Sequence, residues 1–482
     1  MDKIYKIREL LDKIYNVTLR YEQQAAAQID NGALSMSELR TLEAIGPRES
    51  RTMSQVSWAL NIRISTLTTA INKLVKKGYV ERYRIPEDRR VVMIKLTAEG
   101  NRVVQEYRKL TNGIIIEAVA DMDEDEIVHF IDSAENISQF FAMQQYEPLR
   151  ARENYKLSPI WLGGRELSVP LFQGGLGIGI GLGGLAGAVA ACGGLGVVSA
   201  TEIGYREPDY QENPDAANVR ALKREYGKAR EASENADRGG LVGINVTTSR
   251  PNYELMVRTA VDIGAEVIVA GGGLPMNLPK YCDNTDTALI PIVSSARAAR
   301  VIKHNWKKKL NRVPAAFIFE NSMAGGYLGY KIPQLDSARD EYYRTLLELR
   351  EEAGEIPLIV AGGIMRRKDA VRAYAYGADG IQIGTSFITT MECDADDAFK
   401  QTYLNLKEKD VTIITNPFGK PCQVINNEFV QGLKEPLTVE EETAALIRGL
   451  NGDRRNGLFF CGGQAWRMKP ANSVVDIFEE FQ

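Results

Sequence analysis

Between residues 169 and 384 the chain repeats one pattern eight times. A short apolar, largely β-branched run stops at glycine or a small polar residue, and a longer amphipathic stretch follows. The runs fall at residues 169–173, 196–200, 242–246, 267–270, 289–294, 315–320, 358–361 and 380–384. Strands that are apolar at nearly every position, rather than at alternate ones, are buried on both faces, which is the signature of a parallel sheet covered by helices. Eight such units with no open-sheet nucleotide fingerprint predict a closed (β/α)8 TIM barrel. In such barrels the C-terminal ends of the strands carry the chemistry. The sixth run ends Glu320-Asn-Ser-Met-Ala-Gly325-Gly326-Tyr327-Leu-Gly329, and the chemistry is expected to centre there.

A chain of 482 residues exceeds one barrel, so a second unit is expected. Residues 1–146 read as a mainly α winged helix-turn-helix, and residues 160–482 as the α/β barrel. Between them, residues 147–159 lose periodicity and carry two prolines, Pro148 and Pro159, which predicts a linker. In the first part, helical stretches at 2–29, 34–45 and 52–60 lead to a helix at 65–77 that is closed by Gly78. Leu67, Ile71, Leu74 and Val75 are expected to form its buried stripe, leaving Ser65, Thr66, Thr69, Asn72, Lys73 and Lys76 outward. Strand-like runs at 79–83 and 91–96 flank a basic tip containing Arg89 and Arg90. A wing of this kind can place an arginine in the minor groove while the second helix enters the major groove.

Leu74-Val-Lys-Lys-Gly78-Tyr-Val-Glu-Arg82, Asp88-Arg89-Arg90 and Leu96-Thr97-Ala-Glu-Gly100 resemble the winged helix of MarR-type transcriptional regulators over about residues 1–145. The resemblance implies a homodimer formed through the first and last helices, a recognition helix at 65–77, and double-stranded operator DNA as partner. A winged helix kept only for dimerisation is the alternative. The basic residues Lys73, Lys76, Lys77, Arg82, Arg84, Arg89, Arg90 and Lys95 cluster in a chain whose net charge is −4, and this favours phosphate contacts.

The five cysteines are scattered without ligand-type spacing, and there are two histidines, His129 and His304. Neither a disulfide framework nor a metal site is expected. With a charged, helical N-terminus and no long apolar run, the expectation is a cytoplasmic protein without membrane spans. Run seven ends at Gly362-Gly363 and run eight at Gly384-Thr385. One glycine pair after a strand is more often a turn than a ligand site. Two adjacent ones at the end of a barrel predict a phosphate cradle, because backbone N–H groups can then approach an anion.

Further motifs occur in order along the barrel region: Pro170-Leu-Phe-Gln173-Gly174-Gly175-Leu176-Gly177, Gly243-Ile-Asn245, Gly271-Gly-Gly-Leu-Pro275, the Glu320–Gly329 stretch, Thr390-Met-Glu392-Cys393-Asp394, and Asn416-Pro-Phe-Gly419-Lys-Pro421. Together they resemble the nitronate monooxygenase family, which includes the flavin-type enoyl-acyl-carrier-protein reductases. The resemblance implies FMN, its phosphate at Gly362, Gly363, Gly384 and Thr385. The isoalloxazine would lie over Gly174, Gly175, Leu176 and Asn245, with Gly325 and Gly326 beside it. Gln173 and Asn245 suit the polar edge of a flavin, or equally cap buried backbone.

One departure stands out. The family's turn after strand six normally ends Ala-Gly-Gly-His, whereas here Tyr327 occupies the histidine position. The family often has an acidic residue where Met323 stands and a methionine where Leu176 stands. A phenol titrates near 10, so Tyr327 is expected to donate protons or hydrogen bonds rather than act as a base. His304 falls on a polar helix face and is expected at the surface. Three readings remain open. The first is an FMN oxidoreductase of nitronate monooxygenase type, with Tyr327 as catalytic residue acting on a small molecule. The second is an enoyl-thioester reductase using NAD(P)H as reductant. The third is a transcription factor whose flavin-loaded barrel senses a ligand or redox state.

Overall fold

A computed structural model describes residues 2–482 except 48, 49, 61, 63, 86, 87, 124, 125, 128, 132, 135, 136, 138–145, 284, 405 and 469. The side chains of 2–4, 31, 54, 55, 58, 84, 85 and 88–91 also lie outside the description. The chain divides into two compact units, Met1–Phe141 and Ala142–Gln482.

In the first unit, α1 (Asp2–Gln28) is followed by α2 (Met36–Ile45), β1 (Arg51–Thr52), α3 (Met53–Ala59), α4 (Ile64–Lys76), β2 (Val80–Ile85), β3 (Asp88–Leu96) and α5 (Ala98–Ala118). Ser35 starts α2 with a reciprocal cap. Its hydroxyl accepts from Glu38 N at 3.3 Å and its own N–H donates to Glu38 Oε2 at 2.8 Å, satisfying two otherwise orphan donors. The antiparallel pair β2–β3 forms the wing, and β1 adds to its other edge. Leu67, Ile71 and Leu74 of α4 pack with Leu39, Leu42, Val103 and Tyr107. Val75, expected in that stripe, is 39% exposed. Buried positions at i, i+4 and i+7 define a face about one residue wide at this end, and Val75 lies one step off it.

In the second unit, β4 (Ile160–Leu162) and β5 (Arg165–Leu167) make a hairpin. The barrel strands are β6 (Leu171–Gln173), β7 (Leu195–Ser199), β8 (Leu241–Thr247), β9 (Val267–Gly271), β10 (Ala288–Val293), β11 (Phe317–Glu320), then, after the two-residue β12 (Gly326–Tyr327), β13 (Leu358–Ala361) and β14 (Gly380–Ile383). All eight lie where the repeated pattern predicts them, and they close in the order β10-β11-β13-β14-β6-β7-β8-β9 with parallel pairing. Alternate side chains divide between two cores. Phe172, Val197, Val269, Ile290, Ile318 and Ile359 fill the interior together with Leu162 and Leu167 of the hairpin. Phe317, Phe319, Val198 and Ile244 face the surrounding helices.

Residues 147–159, expected as a linker, are held against the barrel. Leu149 and Arg150 donate backbone N–H groups to Ala375 O, Arg150 pairs with Asp379 at 2.7 Å, and Tyr155 donates to Phe481 O at 2.8 Å. A second sheet lies outside the repeated strand pattern. β12 pairs antiparallel with β16 (Pro421–Ile425), which in turn pairs with β15 (Val411–Thr415). This sheet carries Tyr327.

Candidate active site

The C-terminal ends of the strands open into one cavity. Ten of the eleven expected cofactor residues line it: Gly174, Gly175, Leu176, Asn245, Gly325, Gly326, Gly362, Gly363, Gly384 and Thr385. Tyr327 lines it as well. Gln173 does not. It is fully buried, with Nε2 donating to Val197 O at 2.8 Å and Oε1 accepting from Val197 N at 3.2 Å. Both ends of its amide are consumed by the neighbouring strand, so it caps backbone rather than facing a ligand, a correction to its expected place at a flavin edge. Asn245 keeps one end towards the cavity. Its Nδ2 donates to Val269 O at 3.3 Å, and a Cβ on Gly175 would come within 2.3 Å of its Oδ1.

The glycine turns have the properties an anion cradle needs. Gly362 and Gly363 sit at φ +96° and +71°, where L side chains are strained. A Cβ on Gly362 would lie 2.6 Å from Asn321 Oδ1, and one on Gly363 would lie 3.1 Å from Met323 Cε. Among the described residues the N–H groups of Gly363 and Ile364 have no protein acceptor. Gly384 and Thr385 stand across from them, where the Thr385 hydroxyl accepts from Gly462 N at 3.1 Å. Polar groups left unsatisfied beside a cavity are where a ligand's acceptors fit.

Tyr327 belongs to a hydrogen-bonded network with Arg250 and Glu442, which no local motif marks. Its hydroxyl donates to Glu442 Oε2 and accepts from Arg250 Nη2 at 3.1 Å. Arg250 Nη2 also reaches Glu442 Oε2 at 2.8 Å, and Nη1 reaches the Thr443 hydroxyl at 3.2 Å. Phe418 and Phe460 pack on the phenol ring at centroid distances of 5.9 and 5.8 Å. Burial raises the Tyr327 pKa well above the usual phenol value, with Arg250 opposing and Glu442 reinforcing the shift. Burial also raises the Glu442 carboxyl, against the pull of Tyr327 and Arg250. Tyr327 therefore stays neutral at working pH, a hydrogen-bond donor as expected, but its proton is directed at Glu442.

Arg250 lies in the loop after β8, at the end of the barrel where ligand contacts gather. Glu442 lies on the helix Val439–Leu450, whose buried positions are Glu442, Ala445, Leu446, Gly449 and Leu450. A carboxylate in the apolar phase of an amphipathic helix was the available signal. Two other motif residues are structural. Asp394 accepts from the N–H groups of Leu182, Gly184 and Leu185 and so caps the helix Gly183–Ala191, while Asn416 closes its own turn through Phe418 N and Lys420 N.

In the first unit Ser65, Thr66, Thr69, Asn72, Lys73 and Lys76 are all exposed on α4, as expected. Asn72 accepts from Arg82 at 2.6 Å. Lys77 and Lys95 are tied to Glu38 and Glu81. The side chains of Arg89 and Arg90 lie outside the described residues. His304 is exposed on its helix. Among the described residues no helix is long and apolar enough to cross a membrane.

A family model described as nitronate monooxygenase matches residues 165–481, and one described as MarR family matches residues 34–92. A "Probable nitronate monooxygenase" of Staphylococcus haemolyticus is 25% identical over 285 residues, 56% of this chain and 75% of its own. The Staphylococcus aureus (strain Newman) protein of the same description is 28% identical over 172 residues, so that the match spans about half of that relative, 48%. FabK from Thermotoga maritima (23% identity, TM-score 0.53) and the nitroalkane oxidase from Streptomyces ansochromogenes (19%, 0.53) each align with 65% of this chain, covering 91% and 94% of their own. These two show the barrel fold.

Proposed function

The chain belongs to the nitronate monooxygenase family, and on that footing we propose that its barrel is an FMN-dependent oxidoreductase of nitronate monooxygenase type joined to an operator-binding domain of MarR type. The observation that carries the cofactor assignment is the pair of N–H groups on Gly363 and Ile364 left without a protein acceptor among the described residues, beside Gly362 and Gly363, whose positive φ values disfavour a side chain. These groups, with Gly362, Gly384 and Thr385, would hold the phosphate, and Gly174, Gly175, Leu176 and Asn245 would line the ring. FMN supplies the electron-transfer chemistry when bound. The chain's own task is to orient the substrate and exclude water. Tyr327, held by Arg250 and Glu442, presents a fixed neutral phenol at the cavity wall, against which a substrate such as a nitronate would be positioned.

For the first unit the reading is a homodimer that places two α4 helices in successive major grooves, with Ser65, Thr66, Thr69, Asn72, Lys73 and Lys76 facing DNA and the wing bearing Arg89 and Arg90 in the minor groove. α1 leaves Tyr5, Ile14 and Tyr15 73%, 58% and 65% exposed, and α5 leaves Ile115 and Ile116 61% and 66% exposed. Apolar surface of that extent on α1 and α5 supports their burial against a second copy. The test of the barrel is direct: the purified protein should be yellow and should release about one FMN per chain on denaturation. It should then oxidise an alkyl nitronate in air. A colourless protein that fails to take up added FMN would end this reading.

A further inference from the structure

The cavity holds one carboxyl group outside the phosphate cradle and the Tyr327 network. Glu320 is the last residue of β11, and alternation along that strand points Phe317 and Phe319 at the helices and Ile318 into the barrel. Glu320 follows the phase of Ile318 and lines the cavity directly above the apolar interior. Ala361 of β13 is its register partner, and Ile292 of β10, Gly271 of β9 and Met323 in the following turn line the same cavity. Among the described residues no donor or cation meets its carboxyl, and burial is the cause of its displaced pKa. The titratable group that faces it is the phenol of Tyr330, which donates to the backbone oxygens of Ser294 and Glu320 at 3.2 and 3.4 Å. Arg250 and Glu442 are engaged with each other and with Tyr327.

We propose that Glu320 is the acid–base group of this cavity and that its carboxylate removes the α-proton of neutral nitroalkanes. In this step the C–H bond breaks and an O–H bond forms on Glu320. The electron pair of the former bond enters the C=N bond and the nitro oxygens, giving the nitronate anion. No oxidant is involved. The choice of carbon acid rests on the nitronate monooxygenase reading. The base assignment rests on the position of the carboxyl and the absence of any partner among the described residues. Glu320 is half-buried at the cavity wall, and its removal from bulk water pushes the carboxyl up to about 8, strong enough to accept a proton from carbon yet ionised in mild alkali. A chain lacking the family histidine is then not confined to substrates already ionised, as the neutral phenol of Tyr327 alone would imply.

The step is measurable without turnover. The holoenzyme is incubated anaerobically with nitroethane in D2O, and loss of the α-proton signal is followed by NMR. Wild type should exchange ~10²-fold faster than buffer, with a rate that rises and levels off as pH passes about 8. Glu320→Gln should fall to the buffer rate. Glu320→Asp, which keeps a carboxylate, should regain part of the exchange with a displaced pH midpoint. His304→Ala, on an exposed helix face, should exchange like wild type. Exchange at the wild-type rate in Glu320→Gln, or none above buffer in wild type, overturns the proposal. Should Glu320→Gln lose its flavin, a flavin-bound Glu320→Asp that exchanges no faster than buffer overturns it equally. The activity reading fails separately, if wild type exchanges nitroethane but does not oxidise its nitronate in air.

Discussion

The Tyr327 hydroxyl donates to Glu442 Oε2, a carboxylate 115 residues further along the chain, and both are held by Arg250. The contact fixes the phenol at the cavity wall and joins the small sheet β12-β16-β15 to the helix Val439–Leu450. Glu442 Oε1 and Arg250 Nε have no hydrogen-bond partners among the described residues, so the network already carries unsatisfied buried groups before any bond is removed.

Tyr327→Phe should therefore lower stability by about 1–3 kcal/mol, the range for leaving a buried polar group unsatisfied. Glu442→Gln should cost less than Glu442→Leu, because the amide still accepts from Arg250. Thermal unfolding of the three variants checks this. The flavin spectrum of Tyr327→Phe should remain, since the phenol lies outside the phosphate cradle, while its turnover of nitronates should fall.

Gly363→Asp should give a colourless protein. The backbone there is at φ +71°, and a side chain would meet Met323 and bring a carboxylate against the two N–H groups proposed for phosphate. Retention of flavin at wild-type stoichiometry, read from the visible spectrum, would remove the phosphate assignment.

Glu320 makes stability depend on pH with a definite sign. Its folded pKa, about 8, lies above the value near 4.3 expected in the unfolded chain. The folded state thus binds the proton more tightly, a contribution fully present below about pH 4 and lost as pH rises through about 8. Between about pH 6 and about pH 9, the Tm of wild type should fall more than that of Glu320→Gln. Parallel profiles would mean that the carboxyl is not held protonated by burial.

Replacing Lys73 and Lys76 by alanine should weaken binding to a pseudo-palindromic duplex and reduce the slope of log K against log salt by ~0.9 for each phosphate that is no longer neutralised. Both lysines are exposed on α4 and carry no ion pair among the described residues. Replacing Arg89 and Arg90 by alanine should act in the same direction. A slope untouched by either pair, measured by salt titration, would mean that this face and this wing do not meet DNA.

The elements of both units could be read from local pattern. Eight apolar runs bounded by glycine reappear as the eight barrel strands, and the period of Leu67, Ile71 and Leu74 reappears as the buried face of α4. Such patterns are legible because they report, residue by residue, which face must leave water, and glycine positions report where the backbone needs room. Partners are another matter. Gln173 looked as suited to a ligand as Asn245, and what separates them is that β7 offers Val197 to both ends of one amide. Arg250, Tyr327 and Glu442 lie on three elements far apart in the chain, and nothing local marks them as one network. Glu320 carries no local sign that it would lack a partner among the described residues, since that depends on what the neighbouring strand ends supply. Burial is written into periodicity, but the partner a buried polar group finds, or fails to find, is decided only when distant segments close over it.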